Sequence, residues 1–328
     1  MFVILDADRD GAVLLDGARR TYRGVRRDAG VVWEDRSAAG TAAMVTCLAT
    51  CPDAAVSAGI ESLSSPAVPD PDPAAWIGGQ LRPLAVALAH KRQILTASGP
   101  DDYVLATGDP NGGWRLELQG RGRPVTALAV GGFRTSWQES ADGTHALAIT
   151  IVPGAAGNEA RWFSRTAGAW RMTGAMSRVT GFLACVAPDG SRAVLLGQRP
   201  ALLDRAGGVL SVTDLVTGGA CALGAGGGLI VELAQTGEGT SRSRVRAVDS
   251  TGATRWRRDL AHAADVVADP TGSRVGYLAD GVLHVLDATT GTELRTIADV
   301  TAARYDAAGD LVVADRSGTV RWLADDGP

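Results

Sequence analysis

The sequence predicts an all-β fold built from one repeated unit. Short runs of Val, Leu, Ala and Ile alternate along the chain with tight Asp/Gly turns, which is typical of antiparallel strands. The 328 residues are 45% hydrophobic and 21% charged, so the chain can bury a core. Length alone suggests two domains. The recurrence of the strand-and-turn unit instead favours a single domain over residues 1–328.

The unit is clearest between residues 266 and 297. Its first strand ends at an Asp269-Pro-Thr-Gly272 turn, and its second strand ends at an Asp280-Gly281 turn. A third strand then reaches the turn Asp287-Ala-Thr-Thr-Gly291, which leads into Glu293–Ile297. Four strands joined by tight turns form one antiparallel meander.

Related segments fill most of the chain. Their first strands begin near residues 45, 84, 125, 182, 220, 265 and 302. The spacing centres on the roughly 40–45 residues of a four-stranded propeller blade. We therefore predict a β-propeller of seven four-stranded antiparallel blades. The last unit shows three strands, and the chain begins with a lone strand, Phe2–Asp6. We expect that strand to join the last sheet and to close the ring without a free edge.

Two regions fit this repeat poorly. Residues 12–42 contain strand-like pieces, Ala12–Leu15 and Val31–Glu34, which would form an additional blade and raise the count to eight. Residues 61–83 are interrupted by prolines, which a central strand does not accept; these are Pro66, Pro69, Pro71, Pro73 and Pro83. This segment is predicted to be a long loop insertion that contacts a partner, with a short helix at Pro73–Gly78 as the alternative.

The repeats resemble blades of the WD40 family, with features of PQQ-like repeats. Leu260-Ala-His262 stands where a WD40 blade carries Gly-His, and Val285-Leu-Asp287 stands at its Trp-Asp position. Ala268–Gly272 and Pro188-Asp189-Gly190 are similar to the family's Ser-Pro-Asp-Gly turn, and Val248–Trp256 is similar to the PQQ-like strand signature. No blade combines Gly-His with Trp-Asp, so the resemblance is one of architecture. It implies a protein-interaction scaffold.

Composition narrows the classes of partner. The formal net charge of −4 argues against a dedicated nucleic-acid binder. Lys91 is the only lysine among 32 basic residues, which is typical of GC-rich, actinobacterial-type coding and indicates a bacterial protein. Cationic contacts with a partner are therefore expected to come from arginine side chains. No apolar run approaches membrane-spanning length, so no membrane partner is expected.

The ends and cysteines predict a cytoplasmic protein. The first residues lack the basic start and long apolar run of a secretory signal. Four cysteines are too few for a disulfide scaffold in a chain of this length, and we expect them to be small buried apolar residues; they are Cys47, Cys51, Cys185 and Cys221. Cys47 and Cys51 do not have the Cys-x-x-Cys spacing of a redox or zinc site.

The segment Asp6-Ala-Asp8-Arg-Asp10-Gly11 matches the first half of a calcium loop. Such a loop needs a carboxylate at its twelfth position, where this chain has Gly17, although the adjacent Asp16 is an alternative. The competing interpretation is a hairpin whose Asp and Gly residues are turn formers. Asp6, Asp8 and Asp10 are therefore weak calcium candidates, and otherwise no metal is predicted.

No combination of residues predicts catalysis. His90, His145, His262 and His284 belong to turns and strands that open on different faces of a propeller, so they do not converge on one metal. The phosphate-loop, nucleophile-elbow and zinc-protease motifs are absent from the sequence. We predict no catalytic residue and no cofactor.

An arginine-rich segment is the candidate contact for an acidic partner, because the guanidinium fork suits carboxylates and phosphates. It contains Arg19, Arg20, Arg23, Arg26 and Arg27. The alternative is a solvated strand edge balanced by nearby acids. Tryptophans near blade ends are expected to pack mainly between outer strands. Trp76, within the proline-rich segment, is the candidate interface anchor.

These observations predict a non-catalytic scaffold that binds another protein, with proteins encoded in the same genomic neighbourhood as the first candidates. The alternative function is an enzyme or small-ligand binder with a site in the central funnel. The first strands read Thr-Cys-Leu-Ala, Ala-Val-Ala-Leu and Thr-Ala-Leu-Ala, so we expect an apolar channel, which disfavours the alternative. The oligomeric state is left open.

Overall fold

The structure is a computed structural model whose regular elements, in the residues it describes, are all β-strands. Those residues are 2–36, 44–48, 50–57, 74–83, 92–99, 102–108, 114–119, 126–130, 134–140, 143–151, 157–167, 169–174, 177–181, 183–187, 189–196, 201–211, 220–224, 229–236, 242–249, 251, 253–263 and 265–324.

The strands form eight antiparallel sheets, numbered in chain order. Sheet 1 consists of β1 (Phe2–Ala7), β2 (Gly11–Asp16), β3 (Thr21–Arg26) and β4 (Gly30–Asp35). Sheet 2 consists of β5 (Met44–Cys47), β6 (Ala54–Ser57), β7 (Ala74–Ile77) and β8 (Gln80–Pro83). Sheet 3 consists of β9 (Arg92–Gly99), β10 (Asp102–Gly108), β11 (Trp114–Gln119) and β12 (Thr126–Val130). Sheet 4 consists of β13 (Arg134–Glu139), β14 (His145–Ile151), β15 (Asn158–Thr166) and β16 (Ala169–Met172), and β17 (Ser177–Val179) pairs with β15.

The second half of the chain follows the same plan. Sheet 5 consists of β18 (Leu183–Val186), β19 (Arg192–Leu196), β20 (Ala201–Asp204) and β21 (Val209–Ser211). Sheet 6 consists of β22 (Ala220–Leu223), β23 (Leu229–Thr236), β24 (Arg242–Asp249) and β25 (Thr254–Leu260). Sheet 7 consists of β26 (Asp265–Ala268), β27 (Arg274–Ala279), β28 (Val282–Asp287) and β29 (Glu293–Ala298). Sheet 8 consists of β30 (Val300–Tyr305), β31 (Leu311–Asp315) and β32 (Val320–Leu323).

The sheets form a closed ring. The first strand of each sheet contacts the first strand of the next, from β1 through β5, β9, β13, β18, β22 and β26 to β30, and β30 contacts β1 again. The first strands therefore line the centre, and the fourth strands lie at the rim. The prediction of an all-β propeller of four-stranded antiparallel blades is confirmed: seven sheets have the four-stranded order. The three-stranded eighth sheet brings the number of sheets to eight, the alternative count.

The ring closes differently from the prediction. The N-terminal strand β1 pairs with β2 and begins sheet 1, instead of completing sheet 8. The segment at residues 12–42 supplies three more strands, so β1 has partners in its own sheet. Sheet 8 has three strands within the described residues, as expected from its sequence, and it packs against sheet 1 through side chains.

Two further expectations need correction. Residues 126–130 form the last strand of sheet 3, and sheet 4 begins at Arg134, because Thr126–Val130 pairs with β11. Residues 74–83, predicted as part of a loop or a short helix, form the hairpin β7–β8. Pro83 is accommodated because it ends an outermost strand, where a missing N–H leaves no ladder bond unmade. The other prolines of the expected loop, at positions 66, 69, 71 and 73, lie outside the described residues.

Candidate functional site: the central cavity

The centre of the ring contains a cavity of about 590 Å³. First strands from sheets on opposite sides of the ring line it, and they contribute Asp6, Glu139, Asp265, Arg304 and Tyr305 among other residues. A volume in this range accommodates a small molecule. The expectation of an apolar channel is therefore wrong, because several first strands carry a charged residue near one end.

Asp6 connects three elements at the cavity wall. A β-bulge in β1 shifts the register between Ile4 and Asp6. Because a bulge re-aims side chains, we attribute the position of the Asp6 carboxylate to it. Oδ2 of Asp6 accepts a hydrogen bond from the Cys47 N–H at 2.7 Å. Oδ1 lies 3.1 Å from Nη2 of Arg304 in sheet 8. Asp6 therefore joins sheet 1 to both of its neighbours.

Glu139 lies at the end of β13. The Glu139 side chain keeps accessible surface, but the protein around its carboxylate desolvates it, and this desolvation raises the pKa of Glu139. Hydrogen bonds from Thr96 and Trp137 oppose the rise, and the negative charge of Asp6 adds to it. The Trp137 bond, from Nε1 to Oε1, is 2.9 Å long. The charge of Asp6 in sheet 1 therefore contributes to the raised pKa of Glu139 in sheet 4, although desolvation is the main cause.

Asp265, at the start of β26, places another carboxyl group on the cavity wall. Desolvation raises the pKa of Asp265, and the hydrogen bond from the Val266 N–H to its Oδ1, at 2.8 Å, opposes that rise. Two carboxyl groups with raised pKa values thus line one cavity. Perturbed carboxyl groups in a cleft are typical of functional sites, although structural networks produce them as well.

Tyr305 ends β30 on the same wall as Arg304. Burial raises the pKa of Tyr305 to about 12, and the negative charge of Asp269 contributes to that rise. The phenol therefore stays protonated at neutral pH and can donate a hydrogen bond. Together these groups offer acceptors, a cation and donors to a small polar ligand.

Two of the three weak calcium candidates, Asp6 and Asp8, accept hydrogen bonds from backbone N–H groups. Oδ1 of Asp8 accepts from the N–H groups of Asp10 and Gly11, and its Oδ2 accepts from the Cys51 N–H at 2.7 Å. Asp10 lies at the surface, 3.5 Å from Nε of Arg9. Within the described ranges, no group of three or more His, Cys, Asp or Glu side chains is arranged to hold a metal ion. The structure supports the turn-forming interpretation.

The arginine-rich segment does not form one patch. Arg19 and Arg20 lie in the turn before β3, whereas Arg26 and Arg27 lie at its other end, roughly 20 Å away at the rise of a β-strand. Arg23, between them, pairs with Glu34 at 3.1 Å and lies over the Phe2 ring.

Arg27 and Arg26 have different environments. Arg27 donates to Asp310 of sheet 8 at 2.8 Å, so it joins the first and last sheets. Arg26 is exposed and lines a surface cavity of about 410 Å³ with Arg9 and Thr50. Asp10 and Asp28 line the same cavity, so its arginines face acidic side chains of this chain.

Trp76 is not a surface anchor. Its side chain is 1% exposed, because it stacks on Trp33 with ring centroids 4.7 Å apart. Its Nε1 donates to Oδ2 of Asp35 at 2.6 Å. Trp76 therefore packs sheets 1 and 2 together and leaves no surface for a partner, which corrects its assignment as an interface residue.

The cysteines form two disulfides, which corrects the expectation that all four are small buried apolar residues. Cys47 pairs with Cys51, and Cys185 pairs with Cys221, with Cα–Cα distances of 5.2 and 6.0 Å. The second disulfide joins the first strands of sheets 5 and 6 at the cavity wall. Sequence spacing gave no sign of it, because its partners meet only when neighbouring sheets pack.

Three histidines fall within the described residues, and they lie apart. Nε2 of His145 accepts a hydrogen bond from Nη1 of Arg205 at 3.2 Å, and its Nδ1 lies 2.8 Å from the Thr144 hydroxyl. His284 contacts Glu293 at 2.7 Å. His262 is exposed between sheets 6 and 7. Their placement agrees with the expectation that they do not share a site. His90 lies outside the described residues.

The cavity residues Glu139, Asp265, Arg304 and Tyr305 were not singled out from the sequence. Arg304 and Tyr305 interrupt the apolar pattern of a first strand, and this interruption is a signal that the sequence offers. Glu139 was hidden because the start of sheet 4 was misplaced.

Comparison with known proteins gives a fold and no family. No protein-family model and no curated protein matches the sequence. Among solved structures, a chain of the crystal structure of the mitotic checkpoint complex has a similar fold, with a TM-score of 0.51 and 13% sequence identity. The match covers 85% of this chain and 86% of that one. At this identity the likeness shows the fold alone. None of the described segments is an apolar helix of membrane-spanning length.

Proposed function

We propose that this β-propeller is a non-catalytic scaffold that binds another protein through its rim. The observation that carries the proposal is the position of its exposed apolar side chains. In the described part of the chain, the large apolar residues that stay well exposed are Val3, Val31, Val32, Leu81, Met172, Val209 and Leu294. All except Val3 lie on the fourth strand of their sheet.

Among the described strands, none pairs with the outer edge of a fourth strand, so these edges keep a row of backbone groups without a sheet partner. Apolar side chains beside such an edge are typical of surfaces that bind proteins. The structure with a similar fold belongs to a multi-protein complex, and a scaffold role here would be of the same general kind.

The test is affinity purification from the native host with single rim substitutions. Val31→Lys, Leu81→Lys, Met172→Lys and Leu294→Lys each add a charge to an exposed apolar position, and Thr254→Lys is the matched control on an already polar fourth strand. We expect wild type and Thr254→Lys to recover the same partner and at least one rim variant to lose it. No partner with wild type, or retention by every rim variant, would refute the proposal.

A second candidate is a small-ligand function in the central cavity. It is favoured by the raised pKa values of Glu139 and Asp265, which line the same cavity as Arg304. Native mass spectrometry of protein purified under non-denaturing conditions tests it. A bound small molecule that disappears in Glu139→Gln, and not in Thr254→Lys, would support a ligand site, and an unliganded mass in every preparation would count against it.

The disulfides favour an oxidising compartment over the cytoplasm. Structural disulfides persist in secreted and periplasmic proteins and are rare in reducing cytosol. We therefore propose that the protein acts outside the reducing cytoplasm, contrary to the sequence-based expectation. The test is rapid alkylation of free thiols in native cells, followed by peptide mass spectrometry. Recovery of the cysteines as disulfide-linked peptides would support the proposal, and recovery of alkylated Cys185 or Cys221 would contradict it.

A further inference from the structure

Sheet 8 has no fourth strand within the described residues. Each of the other seven sheets has one, so within the described residues β32 is the outermost strand of sheet 8 and no strand pairs with its outer edge. In the described part of the chain, a strand position is therefore open at the rim, between the outermost strands β29 of sheet 7 and β4 of sheet 1.

The backbone of β32 can receive a strand at that edge. Asp315 N–H donates to the Thr319 carbonyl at 3.1 Å where β31 and β32 join. Hydrogen-bonded and non-bonded pairs alternate along an antiparallel ladder. Arg321 and Leu323 are therefore directed towards β31, and the N–H and C=O groups of Val320 and Trp322 point outwards.

The side of the gap next to sheet 1 is apolar. Val320 and Trp322 belong to the hydrophobic cluster between sheets 8 and 1. Val31 is paired with Val25, a member of the same cluster, so it lies on the face of β4 that is turned towards sheet 8. Val31 is nevertheless 53% exposed, since no described residue covers it. An apolar side chain in the gap would bury it.

The side next to sheet 7 is cationic. Leu323 packs in the cluster between sheets 7 and 8, so Arg321, which alternates with Trp322, lies on that face too. Arg295 is paired with Val285 of the same cluster and is exposed. The Asp315 carboxylate on this side accepts hydrogen bonds from Ser317 and Thr319. Desolvation is outweighed by these bonds and by the charge of Arg321, which lower the pKa of Asp315, so this carboxylate offsets part of the positive charge.

We propose that a partner protein supplies the fourth strand of sheet 8, as an extended segment in which apolar and acidic residues alternate. Its apolar side chains meet Val31 and Trp322, and its carboxylates meet Arg295 and Arg321. The inference rests on the proposed scaffold function and specifies its site. A second copy of this chain fits less well, because pairing Val320 with Trp322 of another β32 sets Arg321 directly opposite Arg321.

The experiment measures amide hydrogen exchange by NMR on the full chain. The probes are an eight-residue peptide alternating valine and glutamate, its valine–lysine counterpart, and the valine–glutamate peptide N-methylated at alternate residues. We expect the first peptide to slow exchange at Val320 and Trp322. The N-methylated peptide keeps the side chains but removes the strand hydrogen bonds, so it should have no such effect.

Arg321→Glu tests the charge pattern. This substitution should weaken binding of the valine–glutamate peptide by about fivefold, which is the effect of one surface ion pair. It should improve binding of the valine–lysine peptide. Arg257→Glu on the exposed fourth strand β25 is the control of equal charge, and it should leave both affinities unchanged.

Four results would overturn the inference. The first is that amide exchange at Val320 and Trp322 does not change at saturating valine–glutamate peptide, and the second is that the N-methylated peptide protects these amides equally well. The third is that both amides are already protected in the free monomer, and the fourth is that their protection grows as the chain dimerises. If a native partner is recovered but leaves these two amides exchanging, the scaffold function stands and this site is excluded.

Discussion

The seam between sheets 5 and 6 and the seam between sheets 8 and 1 join neighbouring blades by different means. The first carries the Cys185–Cys221 disulfide within a small apolar cluster. The second joins the two ends of the described chain through aromatic packing and polar contacts. Trp322 Nε1 donates to the Asp8 carbonyl at 2.8 Å, and Arg27 pairs with Asp310.

The difference shows how a ring can close without a shared strand. Residues about the whole chain length apart meet at the seam between sheets 8 and 1, and no covalent bond among the described residues links its sides. The Phe2 ring fills this seam so closely that a Cβ at Gly318, where φ is +85°, would lie 2.6 Å from it. Side-chain packing therefore replaces the strand exchange expected from the sequence.

Removing the disulfide of the first seam should cause the largest loss in the free energy of unfolding. Cys185→Ala with Cys221→Ala opens a link across 36 residues, and chain entropy predicts a loss of about 4 kcal/mol in the free energy of unfolding. Cys47→Ala with Cys51→Ala opens a link across 4 residues and should cost about 2 kcal/mol. Urea denaturation compares the two, and a larger loss for the shorter link would contradict this account.

Phe2→Ala tests the second seam. Phe2 is 6% exposed and packs in the cluster that includes Val312 and Ala314. Truncating a buried phenylalanine should lower the free energy of unfolding by about 3 kcal/mol. Leu294→Ala, at an exposed rim position, is the control and should change it by less than about 0.5 kcal/mol. Equal effects in urea denaturation would show that Phe2 does not hold the ring closed.

The repeat was readable because strand and turn chemistry is local. Asp287 accepts the N–H groups of Thr289 and Thr290, as its Asp-x-Thr-Thr-Gly turn indicates, and five of the predicted unit starts lie within two residues of a first strand. The predicted start near 84 lies outside the described residues, and the first described strand of sheet 3 begins at Arg92. The predicted start near 125 is wrong, because Thr126–Val130 is the last strand of that sheet. The small apolar residues at 126–130 suit a first or a fourth strand equally, and pairing decides between them.

The candidate site was less predictable, because it depends on how sheets meet. Cys185 and Cys221 come together only when two blades pack, and Asp6 and Glu139 line the same cavity only once the ring has closed. Trp76 looked like an anchor in a proline-rich segment, but packing against Trp33 buries it. Sequence periodicity identifies which residues lie on a strand, and it does not specify what faces them from the next sheet.

The Asp6 carboxylate, which lies at the second seam, also acts on Glu139 in the cavity. Measurements of stability over a pH series can detect the raised pKa of Glu139. Burial raises the folded-state pKa of Glu139, and the Asp6 charge adds to it. The folded chain then holds this proton to higher pH than the unfolded chain, so stability falls as pH rises from the ordinary Glu pKa through the raised value. Glu139→Gln should therefore raise the melting temperature at pH 8 by more than at pH 4.

Asp265→Asn is the companion variant, because desolvation also raises the pKa of Asp265. This substitution should likewise raise the melting temperature more at pH 8 than at pH 4. Thr254→Lys, outside the cavity, should show no such pH dependence. A Glu139→Gln variant that is less stable than wild type at pH 8 would mean that the charged carboxylate contributes to the fold.

The smallest expected effect is the coupling between Asp6 and Arg304 across the second seam. Their nitrogen and oxygen atoms lie 3.1 Å apart, but the Arg304 side chain is 48% exposed, so solvent screens the pair. A double-mutant cycle with Asp6→Asn and Arg304→Met should give about 0.5 kcal/mol, and 1 M NaCl should reduce it. Asparagine can still accept the Cys47 N–H, so the cycle isolates the charge. A coupling above about 2 kcal/mol that resists salt would assign ring closure to this ion pair, whereas a small one leaves it to Phe2 and Trp322.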